Sequence, residues 1–225
     1  MKYSNCIAIF SLTLGLGLSS AAGLAQTPAV ASDSGFLTDY GQLTEARKLR
    51  HTYRTFKAPG SGSFKSAKAF LKPVLIFPAD SKFIGVDADI TAQVLEYLEQ
   101  NLRVKIAKAV ELVDSPEQAD VVIEAALTDI STQAEGKTVL DFTPIGLVKN
   151  TVQTAMDGKA LQPVVRIELR VGNRDLDKVL LESVHRYAGK GIGRTDKAAT
   201  RISFESLVPS LNDWVAGTVD ELVKP

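Results

Sequence analysis

The sequence predicts an α+β protein, a two-layer sandwich with a mainly antiparallel sheet and about three helices packed on it, and three patterns carry that expectation. In residues 165–171, Val165, Ile167, Leu169 and Val171 alternate with Arg166, Glu168 and Arg170. Residues 179–187 follow after a short polar connection, which predicts an antiparallel hairpin with one wet face. Ile90, Val94, Leu98, Leu102 and Ile106 recur every fourth residue, the stripe of a helix laid on a sheet. Leu211, Trp214, Val215, Thr218, Val219 and Leu222 repeat that spacing near the end of the chain.

The elements follow in chain order. Residues 1–25 read as an export signal: Lys2 gives a positive start, an apolar run covers residues 7–18, and small residues precede a cut after Ala25, with a second small-x-small site ending at Ala31. The run is broken by Ser11, Thr13, Gly15 and Gly17 and is shorter than the roughly 20 apolar residues that cross a bilayer. Cleavage is therefore expected over retention as an anchor. Cys6, the one cysteine, precedes the run, so either cut leaves a chain with no thiol and no cysteine ligand. The expected divisions are the signal at 1–25, an N-terminal arm with a basic stretch at 26–72, and a single domain at 73–225.

Within that domain, residues 71–77 form an apolar run closed by Pro73 and Pro78, which predicts a strand. Asp87 or Asp89 can cap the first helix. Residues 110–113 make a short strand, Asp114, Ser115 and Pro116 turn the chain, and residues 121–128 make a strand covered on both sides. Ile145, Val148, Val152 and Met156 give a weaker helix after Pro144. The hairpin comes next. Pro209 either starts the last helix or kinks a longer one from near Thr195.

The formal net charge is zero, yet residues 46–72 hold Arg47, Lys48, Arg50, Arg54, Lys57, Lys65, Lys68 and Lys72 with no acid. Tyr53, Phe56, Phe64 and Phe70 are interleaved with these charges. The stretch is either a cationic surface for anionic envelope material, such as lipid headgroups or cell-wall carboxylates, or an arm lying on its own acidic domain. Nucleic acid is not expected, because no binding motif for it is present.

Catalytic and metal signatures are missing. His51 and His185 do not form a local ligand motif, and no serine stands in Gly-x-Ser-x-Gly. Residues 189–194, Gly-Lys-Gly-Ile-Gly-Arg, lack the spacing of a phosphate loop and read as a strand exit, with Lys190 and Arg194 as an anion contact. Asn173, Asp175 and Asp177 imitate the start of a calcium loop, but the glycine and the closing glutamate are absent. No cofactor, no metal and no catalytic residue is expected.

Ser34, Gly35, Phe36, Leu37, Thr38, Asp39, Tyr40, Gly41, Gln42 and Leu43 resemble the opening motif of the bacterial domain-of-unknown-function family 3313, Gly-Phe-Leu-x-Asp-Tyr-x-x-Leu. Phe77 and Pro78, Val113 and Asp114, Thr128 and Asp129, and Trp214 resemble it further along. The resemblance implies an exported protein, often lipid-anchored, and assigns no reaction. The chain departs from it in having no cysteine at the end of the leader.

The expectation is thus a non-enzymatic periplasmic binding or accessory protein, not transmembrane after cleavage. The alternatives are a hydrolase of envelope material using His185 and a carboxylate, or a subunit of an envelope assembly. The candidate binding surface comprises Phe36, Leu37, Tyr40, Arg47, Lys48, Arg50, Arg54, Lys190 and Arg194. Phe36, Leu37, Tyr40 and Leu43 are too apolar for a free tail, so they dock on the domain or engage a partner.

Overall fold

Alternating side chains and four-residue apolar spacing produce an α+β fold built on one mostly antiparallel sheet. The computed structural model describes residues 33–48, 50–81, 83, 86–134, 161–190 and 202–225, with Arg47, Lys48 and Ala134 described at the backbone alone. The strands are β1 (Thr44–Lys48), β2 (His51–Lys57), β3 (Lys68–Leu71), β4 (Leu75–Ile76), β5 (Glu111–Leu112), β6 (Val121–Ala134), β7 (Leu161–Asn173) and β8 (Val179–Ala188). The helices are α1 (Ala88–Ile106) and α2 (Phe204–Val223). Their order across the sheet is β1-β2-β8-β7-β6-β3-β5, with β4 pairing β6 beyond β3. Pairs from β1 through β8 and β7 to β6 are antiparallel, whereas β3 and β4 run parallel to β6, and β5 parallel to β3.

One face of the sheet carries the main apolar core. Ile123, Ala125 and Leu127 of β6, Val165, Ile167, Leu169 and Val171 of β7, and Leu181 and Tyr187 of β8 meet both helices there. Helix α1 contributes Val94, Leu98, Leu102 and Ile106, each fully buried, and each such side chain stabilises by roughly 1.5–3 kcal/mol. Arg103 and Lys105 in its last turn oppose the negative end of the helix dipole. Helix α2 starts after Ser203, whose hydroxyl accepts from the Ser206 amide, and it buries Trp214 completely.

Several sequence expectations change. The N-terminal arm does not stop at the sheet, because β1, β2 and β3 lie within residues 26–72 and are strands of it. The run at 71–77 is split into β3 and β4 around Lys72, Pro73 and Val74. Asp87 occupies the N-cap position of α1 but its side chain makes no capping bond. Pro209 sits inside α2, in its second turn, since the helix begins at Phe204. Two α-helices are present among the described residues; the helix expected near 145–156 lies outside them, as do the leader, residues 191–201 and Arg194.

Candidate functional site

The alternation that gives β7 an apolar face forces Arg166, Glu168 and Arg170 onto the opposite face, where Glu124 and Ala126 of β6 and Glu182 and Val184 of β8 join them through the strand register. Exposure of that face was expected from the charges. Instead Arg166 is 5% exposed and Glu168 and Glu182 are fully buried. The reason is the segment before β1: Phe36 and Leu37, 7% and 5% exposed, pack with Ala126 and Val184, flanked by Tyr40, Leu43 and Phe77.

The segment is held by donors aimed at buried carboxylates. The Thr38 amide donates to Glu182 Oε1 at 2.8 Å, and the Tyr40 hydroxyl donates to Glu168 Oε2 at 2.6 Å. With its proton committed there, the Tyr40 oxygen accepts from the Leu37 amide (3.1 Å) and from Ser34 Oγ (2.8 Å), while Ser34 Oγ accepts from the Phe36 amide. Burial first, and then the Glu168 charge, push the Tyr40 hydroxyl up to about 12. Gly35 makes the entry turn at φ 86°, a left-handed conformation that favours glycine.

Cations complete the cover. The Arg170 guanidinium lies 5.4 Å from the Phe36 ring centre and that of Arg54 lies 5.6 Å from the Tyr40 ring centre. Asp33 pairs with Arg54 at 2.6 Å, and Arg166 reaches Glu168 at 2.9 Å. Glu124 takes Lys72 at 2.7 Å and the Arg170 Nε at 2.8 Å. Burial works against its charge, but these bonds hold its carboxyl below the usual range.

The basic stretch does not form one surface. Its members divide between β1 and β2 at one side of the sheet and β3 at the other, with β8, β7 and β6 between. Arg54 is spent on Asp33, Lys72 on Glu124, and Lys57 on the Lys224 carbonyl. Lys65 and Lys68 are exposed, before and on β3, with Lys68 3.8 Å from Glu111, and the others gather at a corner. The Ala188 amide donates to the Arg50 carbonyl at 2.9 Å, so Arg50, exposed at the β1–β2 turn, lies beside the exit of β8, where Lys190 is also exposed. The backbones of Arg47 and Lys48 approach the same turn in β1. Gly189 permits this exit, since a Cβ there would lie 2.7 Å from Pro163 Cγ. Phe36, Leu37 and Tyr40 belong to the opposite reading: they are packed on the chain's own sheet.

On the helix-bearing face, strand pairing joins two histidines that lie 134 residues apart. His51 Nε2 is 3.0 Å from His185 Nδ1, and His185 Nε2 is 3.0 Å from Ser183 Oγ and 3.3 Å from Glu221. The charges of residues 47–57 mask the strand signal that would reveal the pair, the alternation of Tyr53 and Thr55 with Thr52 and Phe56. Serine and carboxylate approach the same nitrogen of His185, which is 1% exposed, so the arrangement orients a proton. Among the described residues, no group of three or more His, Cys, Asp or Glu side chains is placed to hold a metal ion.

The chain is similar to several solved structures at low identity. The hypothetical protein CT253 from Chlamydia trachomatis is 11% identical, covering 70% of this chain and 93% of that one, with a TM-score of 0.39. A DUF4136 family protein from Bacteroides thetaiotaomicron is 14% identical, with 74% and 97% covered and a TM-score of 0.35. Lipoprotein GNA1162 from Neisseria meningitidis is 13% identical, with 67% and 99% covered and a TM-score of 0.30. Likenesses at this level carry no functional argument. No curated protein matches the chain. Residues 32–217 match the family model described as protein of unknown function, DUF3313, a span that takes in the docked segment, the whole sheet and most of α2, and the chain belongs to that family.

Proposed function

We propose that this protein is a non-enzymatic accessory protein of the bacterial envelope, exported to the periplasm, that engages anionic material through the corner formed by the β1–β2 turn and the exit of β8. One observation carries the reading: the sheet sets Arg50 beside the strand exit that leads to Lys190, both exposed, while Arg54, Lys57 and Lys72 are spent on internal partners. Arg47 and Lys48 add charge to the same turn by sequence. Cations grouped on a surface raise the local concentration of anions within a Debye length, about 8 Å at physiological salt. No helix among the described residues is long and apolar enough to cross a membrane.

Phosphate headgroups and cell-wall carboxylates share the chemistry this corner recognises, and sedimentation separates them. The protein freed of residues 1–25 is spun with phosphatidylglycerol vesicles, with phosphatidylcholine vesicles and with purified cell wall, at low and moderate salt. Salt-sensitive pelleting with one anionic material is expected, and it is lost in the Arg50→Gln/Lys190→Gln double variant. A Lys65→Gln/Lys105→Gln control of equal charge keeps it. No pelleting at low salt, or equal loss in the control, defeats the proposal.

A further inference from the structure

Trp214 and Thr218 lie one turn apart on the buried stripe of α2, in the core that this helix shares with the sheet, and each is fully buried. The stripe around them is apolar, with Leu207, Leu211, Val215 and Leu222 in the same core. Other polar groups on this face are matched. Ser183 Oγ lies 3.0 Å from His185 Nε2, which lies 3.3 Å from Glu221, and the Tyr97 hydroxyl donates to Asn212 at 2.8 Å. The Trp214 indole N–H and the Thr218 hydroxyl have no hydrogen-bond partner among the described residues.

An indole can only donate, through its one N–H, whereas a hydroxyl both donates and accepts. Burying either without a partner generally costs more than fixing a single water beside it. Packing does not account for the hydroxyl, because valine fills the same space with a methyl group. Nor does the helix: a threonine inside a helix ordinarily bonds the carbonyl one turn back, and Thr218 does not take that of Trp214. Side chains on a helix lean toward its N-terminus, so Thr218 leans over the turn that carries Trp214. Cβ atoms at this spacing are about 5–6 Å apart. Two hydrogen bonds of about 2.8 Å that meet at one oxygen cover the same span.

We propose that Trp214 and Thr218 hold one internal water molecule, which accepts from the indole N–H and donates to the Thr218 oxygen. The ligand is water and not an ion, because both groups are neutral and the helix stripe around them is apolar, so they satisfy a dipole and leave a charge uncompensated. The bridge links two successive turns of α2 from inside the core and holds the indole in one orientation.

Trp214 is the one tryptophan of the chain, so its indole proton gives a single signal in a nitrogen-15 spectrum of the intact protein. Water-selected NOE and ROE spectra are expected to show cross-peaks of opposite sign at that proton, the mark of a long-lived water. Same-sign peaks, which arise from proton exchange, or no peaks overturn the site. Thr218→Val separates a bridging water from a hydroxyl that is merely unmatched, at nearly constant side-chain volume. With the water bound, the variant loses one bond and leaves the indole unsatisfied, so its folded-to-unfolded ratio in urea falls by about tenfold and the water cross-peak weakens. Removing an unmatched hydroxyl does the reverse and raises stability. A Thr218→Val protein as stable as the wild type or more so, or one whose cross-peak is undiminished, overturns the bridge.

Discussion

Replacing Tyr40 by Phe removes one oxygen and tests how the N-terminal segment is held. That oxygen donates to Glu168 at 2.6 Å and accepts from the Leu37 amide at 3.1 Å, and Glu168 is fully buried. A hydrogen bond to a charged group contributes about 1.5–3 kcal/mol, and leaving the Leu37 amide unsatisfied adds to the loss, so about 2–3 kcal/mol is expected. For a chain of this size that lowers Tm by roughly 4–12 °C. Tyr97→Phe, which loses a more exposed bond of 2.8 Å to Asn212, serves as control and costs about 1 kcal/mol or less. Urea unfolding of Tyr40→Phe, Glu168→Gln and the double variant completes a cycle, with a coupling of about 1 kcal/mol or more expected. Alkaline titration gives an independent reading. The folded hydroxyl holds its proton to about 12 whereas an unfolded tyrosine loses it near 10, so this stability is present below pH 10 and fades as pH rises through that window. A Tyr40→Phe protein as stable as the wild type, or a coupling near zero, would refute the docking argument.

Two further predictions rest on the same face. Gly35→Ala is expected to cost about 1–2 kcal/mol by denaturation, because φ 86° strains any Cβ, while the nearest atom to that Cβ, Phe77 Cε1 at 3.8 Å, leaves it room. Glu124→Gln is expected to flatten the acid limb of stability against pH: its carboxyl sits below the usual range, so its contribution is present above about pH 4.5 and is lost as pH falls through the lower folded value. An acid limb as steep as in the wild type would count against the Lys72 and Arg170 bonds to Glu124.

Most of the sheet and both described helices were legible because their signals are local. The fourfold spacing from Val94 to Ile106 and the alternation from Val165 to Val171 each need one neighbouring surface, and each has it. The β1–β2 hairpin was hidden by its charges. Residues 44–57 alternate well enough for strands, yet Arg47, Lys48, Arg50 and Arg54 pull the reading toward a solvated arm, and nothing local reveals that Asp33 neutralises Arg54. The wet face of β7 failed for a related reason. Alternation distinguishes two faces but does not say what lies on the polar one, and here the cover comes from more than a hundred residues upstream.

That cover also gives the opening motif a physical meaning. A sheet face carrying Glu124, Arg166, Glu168, Arg170 and Glu182 cannot be closed by an ordinary apolar strand, since buried carboxylates without donors are costly. The segment supplies one donor to each of Glu168 and Glu182 at fixed spacing. Gly35 turns the chain in, Phe36 lies under Arg170, Leu37 fills the apolar gap beside Ala126 and Val184, the Thr38 amide meets Glu182, and the Tyr40 hydroxyl meets Glu168. Phe36, Leu37, Thr38 and Tyr40 therefore each answer a particular group on the sheet, Gly35 sets the entry turn, and Asp39 accepts from the Gly41 amide at 2.8 Å. The motif is thus an interior surface, packed on Ala126 and Val184 and bonded to Glu168 and Glu182.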